Sequence, residues 1–483
     1  MGIISTIKRW IGMFFKNQAE QDFRTEVIES PVMEAMIQKC ANIYRGTPYW
    51  ADEDDRIKTI NFAKSVCSET ARLATLAIGI QIDGSARATW LQEQIDGMYS
   101  EIRHWVEYGC AYGTAFVKPN GEGFDVFTPL DVLLTDCDNQ EVRGIIFKDQ
   151  YAEGDKYYTR LEYHRFVDSV VDGEKVSPYY ISNRTYVSTS ADSIGNPIEM
   201  SKTKWAGLLP DTPPIMKASG ESLDGPMFGV FRTPQANNVD LNTVLGLPIF
   251  AEAIEELKDL DIAYSRNAKE ILDSKKIVLA DDRLLIPDGM PISSRSPEGF
   301  ERKRQQMKLP DYIKNIFGEG PDAFYQEINP QLNTDTRITG INALLSQLGY
   351  KIGFSNGYFV FNESSGIQTA TGVEAEQQRT VQFIKDVRDK LESCLDGAIY
   401  AMNVYADLYD LAPVGTYEVT YDFGDILYSY QEDKARWWQY VSTGKVPFWY
   451  YLVKFEGMSE EDAKALADEA QQQNKDSGLF GEE

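Results

Sequence analysis

The sequence predicts an α+β fold, and three observations carry that prediction. Apolar residues recur at helical spacing through residues 30 to 113. Period-two runs of β-branched and aromatic residues follow to about residue 205. From residue 245 the chain returns to helices, one of them unusually long. At 483 residues there is room for two or three domains. A hydrophobic content of 43% with 12% aromatics is that of a globular protein.

The N-terminal stretch MGIISTIKRWIGMFFKN sets Ile3, Ile4, Ile7, Ile11, Phe14 and Phe15 at helical spacing, with Lys8, Arg9 and Lys16 off the stripe. Basic residues interrupt the apolar part and no small-residue cleavage site follows, which argues against a signal peptide. A helix lying on a membrane surface would look similar. A helix docking on another part of the protein or on a neighbouring copy is the preferred expectation. No apolar run approaches the roughly eighteen residues a membrane span needs.

In DRIKTINFAKSVCSETARLATLAIG, Ile57, Ile60, Val66, Cys67, Thr70 and Leu73 fall near one helical face, and a second helix is expected from about Leu91 to Tyr108. TAFVKP, FDVFTPLDVLL, VRGIIFKDQY, KYYTRLEYHRF, PYYISNRTYVST and PIEMSKTKW then read as strands of an antiparallel module. NGEG, DCDNQ, AEGD, VDGEK and SIGN supply its turns. Asp131, Asp136 and Asp138 gather near one turn. A divalent cation is conceivable there, but turn-forming aspartates are the commoner reason for such a cluster.

The first long helix is expected to open near Pro248, where a missing N–H does no harm. Phe250, Ile254, Leu257, Asp261, Tyr264, Ala268 and Ile271 follow a three-four spacing, apolar except for Asp261. Residues 277–331 form a small mixed insert with KIVLA and AFYQEI as strands. Between them Arg302, Lys303, Arg304 and Lys308 make the densest basic patch of an acidic chain, either a solvated helix face or a docking surface. A second helix carries Ile338, Ile341, Leu345, Leu348 and Ile352, with Asp335 as its N-cap. The polar, glycine-interrupted ESSGIQTATG follows. From Val373 a helix of about 55 Å, striped by Ile384, Val387, Leu391, Cys394, Ala398, Met402 and Tyr405, calls for a partner surface of similar length. The tail holds a strand, TYEVTYDF, an aromatic helical region with Trp437, Trp438 and Tyr440, and a helix capped by Ser459.

A net charge of −26 would repel nucleic acid over most of the surface, which excludes a protein that grips phosphates with Lys and Arg. Cys40, Cys67, Cys110, Cys137 and Cys394 are scattered without a CxxC pair, as reduced thiols are. His104 and His164 are the only histidines and sit in helical and strand patterns, so a histidine-based catalytic or metal site is not expected. There is no HExxH or GxxxxGK[ST].

The order helix, insert, helix, polar loop, very long helix resembles the portal proteins of tailed bacteriophages, of the type found in siphophages and prophages of Gram-positive bacteria. KYYTRLEYHRF with YYISNRTYVS and SIGNPIEMSKTKWAGL resembles the strands of the portal wing. GLPIFAEAIEELKDLDIAYS is similar to the helix entering the stem. LGYKIGFSNGYFVFNESSGIQTATGVEAEQQRT resembles the second stem helix, tunnel loop and tunnel-side helix, with Thr369-Ala370-Thr371 its most specific part. VSTGKVPFWYYLVKFEGMSEEDAKAL resembles the crown. Gly372 departs from the acidic residue common after Thr-Ala-Thr, and YDFGDILYSYQED is more aromatic than usual.

The resemblance implies a portal fold. Its parts are a mixed α/β wing (1–235), a first stem helix (236–276), a small α/β clip (277–331), a second stem helix (332–353), a tunnel loop (354–372), a long tunnel-side helix (373–410) and a helical crown with the tail (411–483). It implies a ring of about twelve copies at one capsid vertex of a virion, assembled in the host cytoplasm, through which double-stranded DNA passes without sequence specificity. Asn356, Tyr358, Glu363, Ser364, Ser365, Gln368, Thr369 and Thr371 would face the DNA. Arg302, Lys303, Arg304 and Lys308 would meet the terminase large subunit or head–tail adaptors, and the ring would also meet major capsid and scaffolding proteins. No catalytic residue, metal, cofactor or membrane is implied. Two other classes stay open on residues alone: an acidic cytosolic hydrolase working through paired carboxylates, and a membrane-surface scaffold using the N-terminal stripe.

Overall fold

The computed structural model describes residues 15–53, 56–121, 123–138, 140–171, 174–217, 219–274, 277–281, 313–316, 325–328, 333–361, 370–424, 430–443, 445–456 and 458–476. A short helix α1 (15–23) precedes α2 (Pro31–Tyr44), which Ser30 caps by accepting from the Met33 amide at 3.4 Å, with Pro31 in the first turn. After α3 (Tyr49–Glu53), α4 (Phe62–Ala74) buries Val66, Cys67, Thr70 and Leu73 on one side, as the spacing predicts. Ile57 and Ile60 precede this helix rather than belong to it. The helix expected over 91–108 is two, α5 (Ala86–Asp96) and α6 (Tyr99–Tyr112), because the chain turns at Gly97 and Met98.

Between α4 and α5, β1 (Gly79–Gly84) interrupts what reads as continuous helix. Its antiparallel partner is β15 (Tyr417–Asp422), the strand expected near the C-terminus. Two buried arginines hold the same distant parts together. Arg87 donates to the carbonyls of Asn403, Ala412 and Pro413 and pairs with Asp407 at 2.7 Å. Arg388 donates to the carbonyls of Leu73, Ala74 and Gly424. Those oxygens lie at helix ends and in loops, and a fixed guanidinium fork satisfies several of them at once.

The strand block forms two antiparallel sheets. β2 (Thr114–Pro119) lies between β3 (Phe124–Phe127) and β11 (Gly229–Arg232). The larger sheet has β4 (Val132–Cys137), β5 (Val142–Glu153), β6 (Lys156–Phe166), β9 (Tyr179–Ser188) and β10 (Asn196–Pro197) in the order β10-β9-β6-β5-β4. β7 (Ser169–Val171) and β8 (Glu174–Val176) form a separate small ribbon. Alternation along β5 sends Ile145 and Phe147 towards the smaller sheet and Ile146 into a cluster with Phe15 and Ala19 of α1. PIEMSKTKW is not a strand beyond β10: a 3₁₀ turn over Met200–Lys202 leads to Trp205, whose indole donates to Asp149 at 3.0 Å.

The first long helix, α7 (Ile254–Asp273), starts after Pro248 and a 3₁₀ turn, Ala251–Ala253. The Ile249 amide is already committed to the Cys110 carbonyl, which holds this stretch against α6. The insert contributes β12 (Ile277–Asp281), flanked by parallel β13 (Ile313–Ile316) and antiparallel β14 (Tyr325–Ile328). The return helix is α8 (Thr334–Ile352). Asn333, not Asp335, holds its cap position, and Asp335 lies in the first turn, where a carboxylate favours the helix dipole.

The 39-residue helix α9 (Ala370–Leu408) is roughly 58 Å long. Ile384, Val387, Leu391, Cys394, Ala398 and Met402 are all buried, and their partner surface is the chain itself rather than another copy: β2, β11, α4 and α5. Gly229 of β11 and Gly397 of α9 let strand and helix backbones touch. A Cβ on Gly229 would sit 2.0 Å from the Cys394 carbonyl oxygen.

Three helices close the chain: α10 (Tyr430–Ser442), α11 (Phe448–Glu456) and α12 (Glu460–Asp476). They pack through rings, with Trp437 stacked on Tyr450 at 5.5 Å and the Lys454 ammonium 4.0 Å above Trp437. Ser459 caps α12 by accepting from the Asp462 amide at 3.2 Å.

Candidate functional site at the α8–α9 junction

The site is built on the helical hairpin α7–α8. Leu257 and Leu260 of α7 are buried, as are Ile341, Leu345, Leu348 and Ile352 of α8. Asp261, the one polar residue in the α7 stripe, is buried because it has partners. Its carboxylate accepts from the Trp50 indole at 2.9 Å and the Ile60 amide at 3.0 Å. Ion pairs fasten the outside: Lys351 to Glu256 at 2.5 Å, and Arg337 to Glu270. Towards the insert the apolar stripe of α7 runs out of cover, leaving Tyr264, Ile271 and Leu272 exposed.

α8 stops at Gly353, whose φ of 124° is one that side chains rarely adopt, and a Cβ there would meet the Phe383 ring at 2.8 Å. The chain then doubles back as a short arm, residues 354–361. Ser355 and Thr380 bond reciprocally: the Ser355 amide donates to Thr380 Oγ1 at 2.8 Å, and the Thr380 amide donates to Ser355 Oγ at 3.2 Å. At its far end the Phe361 amide donates to Asn342 Oδ1, and Asn342 Nδ2 donates to the Phe361 carbonyl, both at 2.9 Å. Between them Phe354 and Phe359 sit edge-on at 4.8 Å, and Phe359 meets Phe62 at 5.1 Å. The arm is a packed element, not loose chain.

Of the residues expected to face DNA, Asn356 is on this arm and exposed. Tyr358 is half-buried among Phe354 and Phe359, and its hydroxyl donates to Glu69 Oε1 at 2.5 Å. Thr371 falls in the first turn of α9. Glu363, Ser364, Ser365, Gln368 and Thr369 lie outside the described residues, as do Arg302, Lys303, Arg304 and Lys308 of the insert. Glu69 is the residue that sequence reasoning missed. It sits 289 positions from Tyr358, on a helix whose pattern reports only its buried face.

Two open polar grooves flank the arm. One, of about 420 Å³, is lined by Asn61, Lys64, Ser68, Glu69 and Arg103. The other, of about 480 Å³, runs along α8 past Asp335, Thr339, Asn342, Ser346 and Phe361. Neither has the enclosed apolar walls of a small-molecule site.

Among the described residues, a dense titratable cluster lies elsewhere, between the two sheets. Glu162 on β6 meets Lys118 at 2.5 Å, Arg160 at 2.8 Å and His164 Nε2 at 3.1 Å. Burial alone would raise its carboxyl, but Lys118, Arg160 and His164 together hold it well below the usual carboxylate range. His164 is pushed down, by burial first. Its neutral ring donates to Glu162 and accepts from the Tyr179 hydroxyl at 2.9 Å, and that hydroxyl in turn accepts from the Met227 amide. With Lys118, Glu162 and His164 all buried, no substrate reaches the cluster. It is a structural network that satisfies charges the sandwich has enclosed.

Asp131 accepts from Thr128 Oγ1 at 2.7 Å, and Asp138 accepts from the amides of Gln140 and Glu141, both at 2.7 Å, as turn aspartates do. Among the described residues no group of three or more His, Cys, Asp or Glu is placed to hold a metal, and no helix is long and apolar enough to cross a membrane. The five thiols are free; Cys137 is half-buried and the others are buried.

Residues 61–476 match the family model described as "Phage portal protein, SPP1 Gp6-like". No curated protein matches the chain. Among solved structures, a chain from the "Virion of native gene transfer agent (GTA) particle" is similar at 10% identity and a TM-score of 0.39, covering 87% of this chain and 93% of that one.

Proposed function

Because the chain belongs to the SPP1 Gp6-like family of phage portal proteins, we propose that it closes into a ring of about twelve copies at one capsid vertex and forms the channel for DNA. Double-stranded DNA enters through it under the action of a separate terminase and leaves by the same path at ejection. The observation that carries this reading is the mounting of the α8–α9 junction. A polar stretch links two helices whose apolar stripes are buried in the chain's own core, so contact with a moving strand does not unseat them.

Charge fits the task. With −26 on each copy, the ring repels a polyanion over most of its wall, and weak, salt-sensitive contact favours sliding over capture. Asn356, Glu363, Ser364, Ser365, Gln368, Thr369 and Thr371 are the proposed DNA-facing residues, since small hydroxyls and amides exchange hydrogen bonds with a backbone without holding it. The insert between β12 and β14, with Arg302, Lys303, Arg304 and Lys308, is the proposed meeting place for terminase and head–tail adaptors. The protein acts as a structural part with no catalytic residue of its own.

The test is the solution mass of the purified chain by light scattering. A species of roughly 650 kDa, about twelve times the 54.7 kDa chain, with a central hole in negative-stain images, is expected. A monomer or dimer that also stays out of particles when co-produced with capsid and scaffolding proteins overturns the reading.

A further inference from the structure

The arm that leads into the polar stretch has two kinds of anchor. Ser355–Thr380 and Phe361–Asn342 tie it to α9 and α8, the helices it connects. The bond from Tyr358 ties it to α4, deep in the wing, through Glu69. The α4 side of this contact is rigid. Glu69 takes Arg72 Nη2 on Oε1 at 2.6 Å and Arg72 Nε on Oε2 at 2.8 Å, a two-pronged pair that fixes the carboxylate plane. Behind it Val66, Cys67, Thr70 and Ala71 are fully buried. Arg72 lies first among the causes that hold the Glu69 carboxyl below its ordinary range, so it accepts as an anion.

We propose that Glu69 is a positioning residue for the DNA-facing segment, holding the Tyr358 hydroxyl so that the arm carrying Asn356 keeps a fixed place relative to the wing. The inference rests on the portal reading and deepens it. The other anchors fix the two ends of the arm, Ser355 to α9 and Phe361 to α8, and leave its middle without a hydrogen bond to α4. The Glu69 bond, backed by the ring of Phe359 on Phe62, refers its position to the wing core. In a ring this gives every copy the same arm height, so that no one copy presses on the sliding duplex more than its neighbours.

Two substitutions separate position from packing. Tyr358→Phe keeps the ring against Phe354 and Phe359 and removes only the donor. Glu69→Gln keeps the shape and removes the charge. In the full-length protein, both are expected to speed amide hydrogen exchange at positions 358 and 361 about ten-fold, as loss of one charge-assisted hydrogen bond allows. The double variant should add nothing further, and the thermal midpoint should stay near that of the unsubstituted protein. Particles assembled on either variant are expected to hold several-fold less DNA. Unchanged exchange in both variants overturns the anchor. Faster exchange with normal DNA content overturns the positioning role and leaves the portal reading standing. A failure of the unsubstituted chain to admit DNA overturns the portal reading itself, and is recognised by appearing without any substitution.

Discussion

Asp261 and Glu162 are carboxylates removed from water, and each is tolerated for a different reason. Asp261 has neutral donors, the Trp50 indole, the Ile60 amide and the Thr59 hydroxyl, and burial raises its carboxyl despite them. Glu162 has Lys118, Arg160 and His164 around it and stays ionised. The second arrangement makes the sandwich sensitive to acid. His164 is held below the ordinary imidazole value, so below about pH 6.5 the unfolded chain takes up a proton that the folded chain still refuses. Its contribution is complete above that pH and is lost as pH falls through the folded value. Glu162 acts the same way lower down: its contribution is complete above about pH 4.3 and lost as pH falls through its depressed folded value. The thermal midpoint should therefore be level from pH 7 to 8 and decline from about pH 6.5. His164→Gln should remove the upper part of that decline while costing about 1–3 kcal/mol at neutral pH; denaturation curves across pH check both. An identical decline in the variant would assign the effect to other groups. In the sequence Asp261 shows as a break in an apolar stripe and His164 as a strand residue. Their partners lie too far along the chain for any local pattern to name.

At the level of elements, α9 approaches β11 so closely that the joint leaves no room for a side chain at Gly229. Gly229→Ala drives a methyl group into the Cys394 carbonyl, which cannot rotate away, so helix or strand must shift. A loss of about 3 kcal/mol is expected in chemical denaturation. Gly207→Ala, with nothing within 4 Å of the new carbon, should be neutral within about 0.5 kcal/mol. The long helices and the long strands between Thr114 and Ser188 were legible because their spacing is sustained over many residues, whereas the three-residue β7 and β8 show in the sequence only as the VDGEK turn. β1 was not, since GIQID is too short to outvote its helical surroundings and is made a strand by Tyr417–Asp422. The break between α5 and α6 was missed for a similar reason: one glycine and one methionine carry little signal. At the candidate site, the polar stretch and the helix behind it were readable. The packed arm was not, because its order comes from Glu69, Asn342 and Thr380 on three separate helices.

On the scale of the molecule, the half of α7 nearer the insert leaves Tyr264, Ile271 and Leu272 exposed at 42, 52 and 65%, along the stripe that is covered further up by α8 and the N-terminal core. In the proposed ring a neighbouring copy covers them. Replacing Ile271 and Leu272 together by Asp should abolish the large species in light scattering and leave the melting of the single chain within about 2 °C of the original, since surface positions seldom cost more. A persisting ring would move the interface elsewhere. The joining of β1 to β15, reinforced by Arg87 and Arg388, has a bearing on how the protein is made. The β15-facing edge of β1, the buried guanidinium of Arg87 and the Ala74 carbonyl at the end of α4 are partnered by residues beyond 387. At about 5–20 residues per second on a ribosome, the N-terminal core waits roughly 20–70 seconds for them. During that interval a nascent chain exposes an unpaired strand and unsatisfied polar groups, surfaces that chaperones bind and that neighbouring nascent chains can cross-pair. If the chain joins the proposed ring, emergence of residues through Gly424 is expected to be the step that makes it competent to do so.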